Sequence, residues 1–295
     1  MRRRLLACLL TAFAALAAGC GERPEPVGEL GQTYPVVVRG AGDRPTVVQS
    51  APERIVALDP GSAELIVALG AKRRLVGVPA GVEDVRAAQV VSAVGRVNVD
   101  AITRLKPDLV VGTPSIDPLD LTRAARESGA VAYVQPADSV ADVERGAIEL
   151  GFLLGAAPEA RRVVAGIRSR SSQIETRVAA EPLVPVFIDT GFRITVSDRS
   201  LPGDLVRRAR GRNVAGGNPG PEPFRPCEVA RLGARVVLVV AEERQRTPRA
   251  EFAACPGGKR MRLVDVDPAL VLRPGPGVAE ALEAIARALH PDAFG

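Results

Sequence analysis

Two consecutive helical runs between Asp138 and Ala180 (DSVADVERGAIELGFLLGAAPEARRVVAGIRSRSSQIETRVAA) limit what the rest of this chain can become. In the first, Val140, Val143, Ala147, Leu150 and Leu154 recur every third or fourth residue, the apolar stripe of a packed helix. Gly155-Ala156-Ala157-Pro158 interrupts the pattern, and Ala160, Val163, Ile167, Ile174 and Val178 carry it onward. Short apolar runs alternate with helical ones before this stretch, and the alternation resumes after it. A rigid helical connector between two such halves implies two α/β lobes with mainly parallel sheets, joined by a long backbone helix, with a ligand cleft between them. The alternative is one continuous sheet with an unusually long crossover.

The amino terminus reads as an export signal. Arg2, Arg3 and Arg4 precede the apolar run Leu5 to Ala18, which is too short for a lasting membrane anchor. Leu16-Ala17-Ala18-Gly19-Cys20 resembles the bacterial lipobox, in which the cysteine is lipidated and becomes the mature terminus. The expected organisation is therefore a signal peptide over 1–19 and a tether with an extended segment over 20–50. A first lobe over 51–137, a linking helical segment over 138–180 and a second lobe over 181–295 follow. The three leading arginines supply much of the net charge of +5, and the remaining basic residues are scattered. No nucleic-acid partner is expected from that balance. Once Cys8 and Cys20 are set aside, Cys227 and Cys255 remain, in one lobe of an exported chain. A disulfide between them is the expectation, and two buried thiols are the alternative.

In the first lobe, Arg54 to Asp59, Leu75 to Val78, Asp108 to Thr113 and Val131 to Val134 read as strands. Helices are expected from Ser62 to Leu69, Val99 to Leu105 and Leu119 to Glu127. In parallel sheets the loops leaving the carboxyl ends of strands line the ligand crevice. That rule selects Pro60, Gly61, Ser62, Pro79, Thr113, Pro114 and Ser115. No GxGxxG context accompanies Gly61 or Gly81, so a dinucleotide fingerprint is absent.

In the second lobe, strands are expected at Val184 to Ile188, Val236 to Val240 and Met261 to Asp265, with an extended continuation over Ile194 to Ser197. Gly211 to Gly216 reads as a loop, and Asn218-Pro219-Gly220-Pro221 as irregular chain. Short helices are expected over Leu201 to Arg208, near Val229 to Leu232 and over Thr247 to Ala254. A last helix carries Val278, Leu282, Ile285 and Leu289 on one face.

Four segments resemble the periplasmic-binding-protein-like solute receptors of the helical-backbone class, which serve iron–siderophore, haem and cobalamin ABC importers. They are Arg54 to Pro60 with Ala63-Glu64-Leu65 and Leu69-Gly70; Val94-Gly95 with Asn98 and Leu105 to Val110; Leu150-Gly151 with Leu154-Gly155; and Arg273 to Pro276 with Ala288-Leu-His-Pro291. The resemblance spans Pro52 to Phe294. It implies a monomeric receptor, held at the outer side of the bacterial cytoplasmic membrane through Cys20. Such a receptor carries a small-molecule chelate to a permease and, through it, to an ATPase. One acidic residue on each lobe is implied to meet permease arginines. On the first lobe this position falls at Asp100. On the second it falls at Cys227, with Glu228 one residue on as the substitute.

The ligand implied is a metal chelate, an iron complex first because that class is the larger, with a corrinoid as the alternative, and the protein needs no cofactor of its own. Arg193 and Arg273 are candidates to meet a carboxylate or phosphate on it. Phe192, Phe224 and Tyr133 are candidates to stack on it. His290 is the single histidine, so a bare metal ion, which normally wants a cluster of His and carboxylates, is disfavoured as cargo. Haem ligation would have to fall to Tyr133. An enzyme is disfavoured, because neither a G-x-S-x-G elbow nor an H-E-x-x-H helix is present. A sensing or structural lipoprotein of the same fold is the remaining rival. The helical connector predicts little hinge motion.

Overall fold

The computed structural model describes residues 33–295, apart from 43–44, 83–84, 86–87, 94–95, 218–219 and 221. The expected signal segment, Cys20, Val94, Gly95, Asn218, Pro219 and Pro221 lie outside the described residues. No helix among the described residues is long and apolar enough to cross a membrane.

The chain enters through an antiparallel pair, β1 (Val36–Val38) and β2 (Thr46–Val48). In each strand the side chains alternate, so that Val36, Val38 and Val48 enter the core while Val37 faces out. Tyr34 Oη donates to the carbonyl of Leu153 at 2.9 Å, and Thr46 Oγ1 to that of Ala132 at 3.0 Å. The later part of the expected tether is thus a structural part of the first lobe.

The first sheet is built from β3 (Ile55–Ala57), β4 (Leu75–Pro79), β5 (Gln89–Ala93), β6 (Arg96–Val97), β7 (Leu109–Gly112) and β8 (Val131–Val134). Helix α1 (Pro60–Ala68) follows β3, α2 (Val99–Leu105) follows β6, and α3 (Pro118–Ser128) follows β7. The strand order is β6-β5-β4-β3-β7-β8, parallel except for β6. Successive residues at the centre serve opposite faces: Ile55 and Ala57 join one apolar cluster, Val56 and Leu58 the other. Both faces are therefore covered, as an α/β sheet requires. β5 and β6 are absent from the strands expected from sequence. Gln89 and Val90 of β5 are exposed, so this edge lacks the continuous apolar run that marks a central strand.

The connector is a hairpin of two helices, α4 (Val140–Leu154) and α5 (Ala157–Val178), rather than one straight rod. Gly155 ends α4 at φ +68°, its N–H bonding to the carbonyls of Gly151 and Phe152. The two helices touch closely: a Cβ on Gly151 would lie 2.4 Å from the Cβ of Ala160. Each helix serves both lobes. Ala147, Leu150 and Leu153 of α4 and Ala160 and Val164 of α5 pack in the first lobe's core. Val140 and Val143 of α4, with Ile167, Ile174 and Val178 of α5, pack in the second. With 22 residues, α5 is about 33 Å long, enough to cross from one core to the other.

The second sheet holds β9 (Val184–Asp189), β10 (Gly211–Asn213), β11 (Val236–Val239) and β12 (Arg262–Asp265), all parallel, in the order β10-β9-β11-β12. Around it lie α6 (Leu201–Arg208), α7 (Pro226–Arg231), α8 (Arg249–Ala253), α9 (Pro268–Val271) and α10 (Val278–Leu289). Gly211 to Asn213, expected as loop, forms the edge strand β10; Gly-Arg-Asn carries no apolar signal, and pairing with β9 alone makes it a strand. Conversely, Ile194 to Ser197 forms no strand. The molecule is an α/β protein of two lobes.

Candidate ligand-binding cleft

At the exit of β3, Asp59 caps α1. Its Oδ1 accepts from the Ser62 N–H and its Oδ2 from Ser62 Oγ, both at 2.9 Å. Thr113, at the exit of β7, also bonds to this carboxyl. Burial pushes the Asp59 carboxyl above the usual carboxylate range, and these hydrogen bonds pull against it. Gln135, after β8, completes the group, with its Oε1 3.3 Å from Ser62 Oγ.

This polar knot faces the other lobe across a closed seam. Gln135 Nε2 donates to the carbonyl of Pro274 at 2.8 Å, and Arg273 Nη1 pairs with Glu64 Oε1 at 2.9 Å. A Cβ on Gly61 would lie 2.9 Å from the same Pro274 oxygen, so only glycine allows this approach.

Several expected ligand contacts are corrected by this geometry. Gly61, Ser62, Pro79 and Thr113 are buried, and Arg273 spends its charge on Glu64. Pro60 is half-buried as the first residue of α1, while Pro114 and Ser115 remain exposed. Sequence reasoning passed over Leu119, which is 80% exposed in the first turn of α3. Its signal was available: Leu119 lies off the stripe formed by Leu121, Ala124 and Ala125.

At the exit of β9 the second lobe presents an aromatic ring. Asp189 Oδ1 accepts from the N–H groups of Gly191 and Arg193, both at 2.9 Å. Thr190 reaches the Ile194 carbonyl with its N–H and its hydroxyl. Inside this clamp Gly191, Phe192 and Arg193 all take positive φ, at 120°, 54° and 64°. Such a conformation costs on the order of 1 kcal/mol or more per non-glycine residue and persists because the surrounding hydrogen bonds hold it. Phe192 is 53% exposed there, and its N–H donates to the Gln245 carbonyl at 2.7 Å. Asp189 Oδ2 is buried without a hydrogen-bond partner. Burial pushes this carboxyl up, while the two backbone bonds and the Arg193 charge oppose the shift.

Arg193 is bound inward. Its Nε donates to the Phe224 carbonyl at 2.6 Å and its Nη1 to Thr247 Oγ1 at 2.8 Å. Phe224 packs edge-on against Phe187, with ring centroids 5.4 Å apart, and is only partly accessible. Tyr133 is corrected as a stacking candidate: it is wholly buried and donates to Glu149 Oε2 at 2.8 Å. Burial and that neighbouring carboxylate push its hydroxyl well above the usual phenol range. His290 is buried as well, its Nε2 3.1 Å from the Ala209 carbonyl oxygen. Among the described residues no three His, Cys, Asp or Glu side chains gather as a metal site.

The docking candidates lie on separate lobes. Asp100 is exposed in the first turn of α2, beside a cavity of about 620 Å³ lined also by Arg96, Asn98, Arg123 and Glu127. Glu228 is half-buried in the first turn of α7. Its neighbour Cys227 is joined by a disulfide to Cys255, just beyond α8, with the Cα atoms 5.0 Å apart.

The family model described as periplasmic binding protein matches residues 55–228. An uncharacterized ABC transporter substrate-binding lipoprotein, YvrC of Bacillus subtilis, is 26% identical over 311 residues, covering 99% of this chain and 98% of that one. A cobalamin-binding protein of Halobacterium salinarum is 28% identical over 192 residues, covering 62% of this chain and 52% of its own length. Among solved structures, the periplasmic vitamin B12 binding protein BtuF of Vibrio cholerae superposes with a TM-score of 0.71 at 19% identity. That match covers 82% of this chain and 98% of the other.

Proposed function

This chain belongs to the periplasmic binding protein family, and from that premise we propose that it is the substrate-binding lipoprotein of an ABC importer, capturing a metal chelate between its lobes. One observation carries the chelate reading. The chain has one histidine and two tyrosines, and all three are engaged internally. A metal reaching this cleft finds neither imidazole nor phenolate waiting for it, which favours one that brings its own ligands. That argues against a bare ion, and against haem held by an axial His or Tyr. The protein's part is then shape and stacking, for which Phe192 is the exposed aromatic at a strand exit. Pro114, Ser115 and Leu119 are its proposed counterparts on the first lobe.

Iron chelates and corrinoids satisfy this chemistry equally. The likeness to a cobalamin-binding relative supports placing a corrinoid first. We assign Asp100 and Glu228 to permease docking and Cys20 to membrane anchoring, in keeping with the lipoprotein description of the Bacillus relative.

Thermal unfolding followed by far-ultraviolet circular dichroism tests the reading, since the chain has no tryptophan. Cyanocobalamin, cobinamide, haemin and ferric hydroxamate, catecholate and citrate complexes form the panel. A ligand at a hundred times its Kd stabilises the native state by about 2.7 kcal/mol. For a chain of this size that corresponds to a rise of about 5–10 °C. The expected result is a concentration-dependent rise with one chelate class. No rise with any of them, in folded protein, would overturn the chelate reading and favour a sensing or structural lipoprotein.

A further inference from the structure

Arg193 and the disulfide bridge the same two segments. From Arg193 one guanidinium nitrogen reaches the Phe224 carbonyl, just before α7, and another reaches Thr247, just before α8. The main chain doubles the first tie, because the Phe224 N–H donates to the Arg193 carbonyl at 3.1 Å. Further along those segments, Cys227 at the start of α7 is bonded to Cys255 beyond α8. A closed ring results: disulfide, α8, Thr247, the guanidinium, Phe224 and back to Cys227. The strained Phe192 turn hangs on this ring directly, as Arg193 is its last left-handed residue.

We propose that Arg193 is a positioning residue rather than a ligand contact, and that with the Cys227–Cys255 bond it makes the Phe192 turn and α7 one mechanically coupled unit. Its side chain is only 25% exposed, and its donors point at protein acceptors. The fork geometry matters, since two acceptors on different segments need two donors held in one plane. The disulfide closes the far side of the same ring, so each tie holds the ends that the other must join. By linkage the coupling is reciprocal: loosening the disulfide loosens the Phe192 turn, and removing the guanidinium makes the disulfide easier to open. Cys227 is exposed and Cys255 is buried, which leaves Cys227 as the side from which a thiol would approach. The disulfide thereby becomes a redox-sensitive determinant of how the aromatic turn is held. That this turn meets the ligand and α7 the permease rests on the function proposed above; the ring itself does not.

The test needs neither ligand nor permease. In glutathione buffers of graded composition, two glutathione thiols reduce the bond, yielding two protein thiols and one oxidised glutathione. The equilibrium gives the effective concentration of the cysteine pair. Arg193→Met is expected to lower that value about tenfold, within the usual range of site-to-site coupling. Thr247→Val, which deletes one acceptor and keeps the volume, is expected to lower it less, and Arg193→Lys is expected not to restore it. Arg162→Met, on an exposed face of α5, serves as the control and leaves it unchanged. Reciprocally, hydrogen exchange at the Phe192 amide should quicken at least tenfold when the native protein is reduced. Equal effective concentrations in native, Arg193→Met and Thr247→Val proteins would overturn the proposal, as would a Phe192 amide indifferent to reduction. Should Arg193→Met fail to fold, Thr247→Val and the native exchange measurement decide alone. A ligand panel without response would leave this result standing, so the two readings fail separately.

Discussion

The side-chain amide of Gln135 donates to the main-chain carbonyl of Pro274 at 2.8 Å, a hydrogen bond thrown from the first lobe to the second. The Pro274 oxygen also faces the Cα of Gly61, where no side chain fits. Two lobes that meet this way have a fixed contact to pivot on, beside the helical hairpin that already belongs to both cores. Large hinge opening would have to break that contact.

Gly61→Ala tests the seam. The added methyl would sit 2.9 Å from a main-chain oxygen, which cannot swing aside as a flexible side chain can. A loss of about 1–3 kcal/mol is expected, the usual cost of overpacking, read from urea denaturation. By contrast, Arg273→Ala should cost no more than about 1 kcal/mol, because its partner Glu64 is over a third exposed. Equal losses in the two variants would show that the ion pair, not the close approach, holds the seam.

The helical hairpin makes a parallel demand at Gly151. A Cβ there meets the Cβ of Ala160 at 2.4 Å, so Gly151→Val must pry α4 from α5. Destabilisation of about 1–3 kcal/mol or more is expected. Because each helix packs in both cores, unfolding should remain a single transition. Two resolved transitions by circular dichroism and by tyrosine fluorescence would contradict that shared anchoring.

Asp189 gives a pH dependence with a defined sign. Burial raises its carboxyl in the folded state above the unfolded value of 3.8, so the native chain holds the proton more tightly than the unfolded one. Its contribution to stability is greatest at low pH and declines as pH rises from the unfolded value through the folded one. Asp189→Asn keeps an oxygen for the Gly191 and Arg193 amides and removes the titration. Relative to the native protein, this variant should gain stability as pH climbs from 3.5 to 7. A gap that stays constant over that range would assign the effect to something other than this carboxyl.

Phe192 sets stability against binding. Phe192→Gly relieves a left-handed residue at φ +54°, so stability should change by less than about 1 kcal/mol. Removing the exposed ring should nevertheless weaken binding of the responsive chelate about tenfold or more. Isothermal titration of the variant checks this. Undiminished affinity would remove Phe192 from the site.

The central elements were legible because their signals are local. Val236 to Val239, Ile55 to Ala57 and the stripe of α10 announce themselves by apolar runs or by helical period. The strands β5, β6 and β10, at or next to the sheet edges, were not, since exposed residues such as Gln89 and Arg212 become strand only through a neighbour's hydrogen bonds. Strand exits were likewise predictable as a class, whereas burial within that class was not. Ser62 and Ser115 both sit in exit loops and read alike in sequence, yet Ser62 is sealed against Gln135 while Ser115 stays open.

By itself, the order of residues determined the alternation of strands and helices, the helical connector and the family resemblance, because these depend on period and spacing along the chain. Only the tertiary structure decided that Arg273 pairs with Glu64, that Arg193 turns inward to Phe224 and Thr247, and that Phe192 alone among the expected aromatics stands well clear of the surface. Those outcomes depend on which distant segments compete for the same side chain. Burial rewards whichever donor and acceptor can be satisfied together, and that competition is settled in space rather than along the sequence.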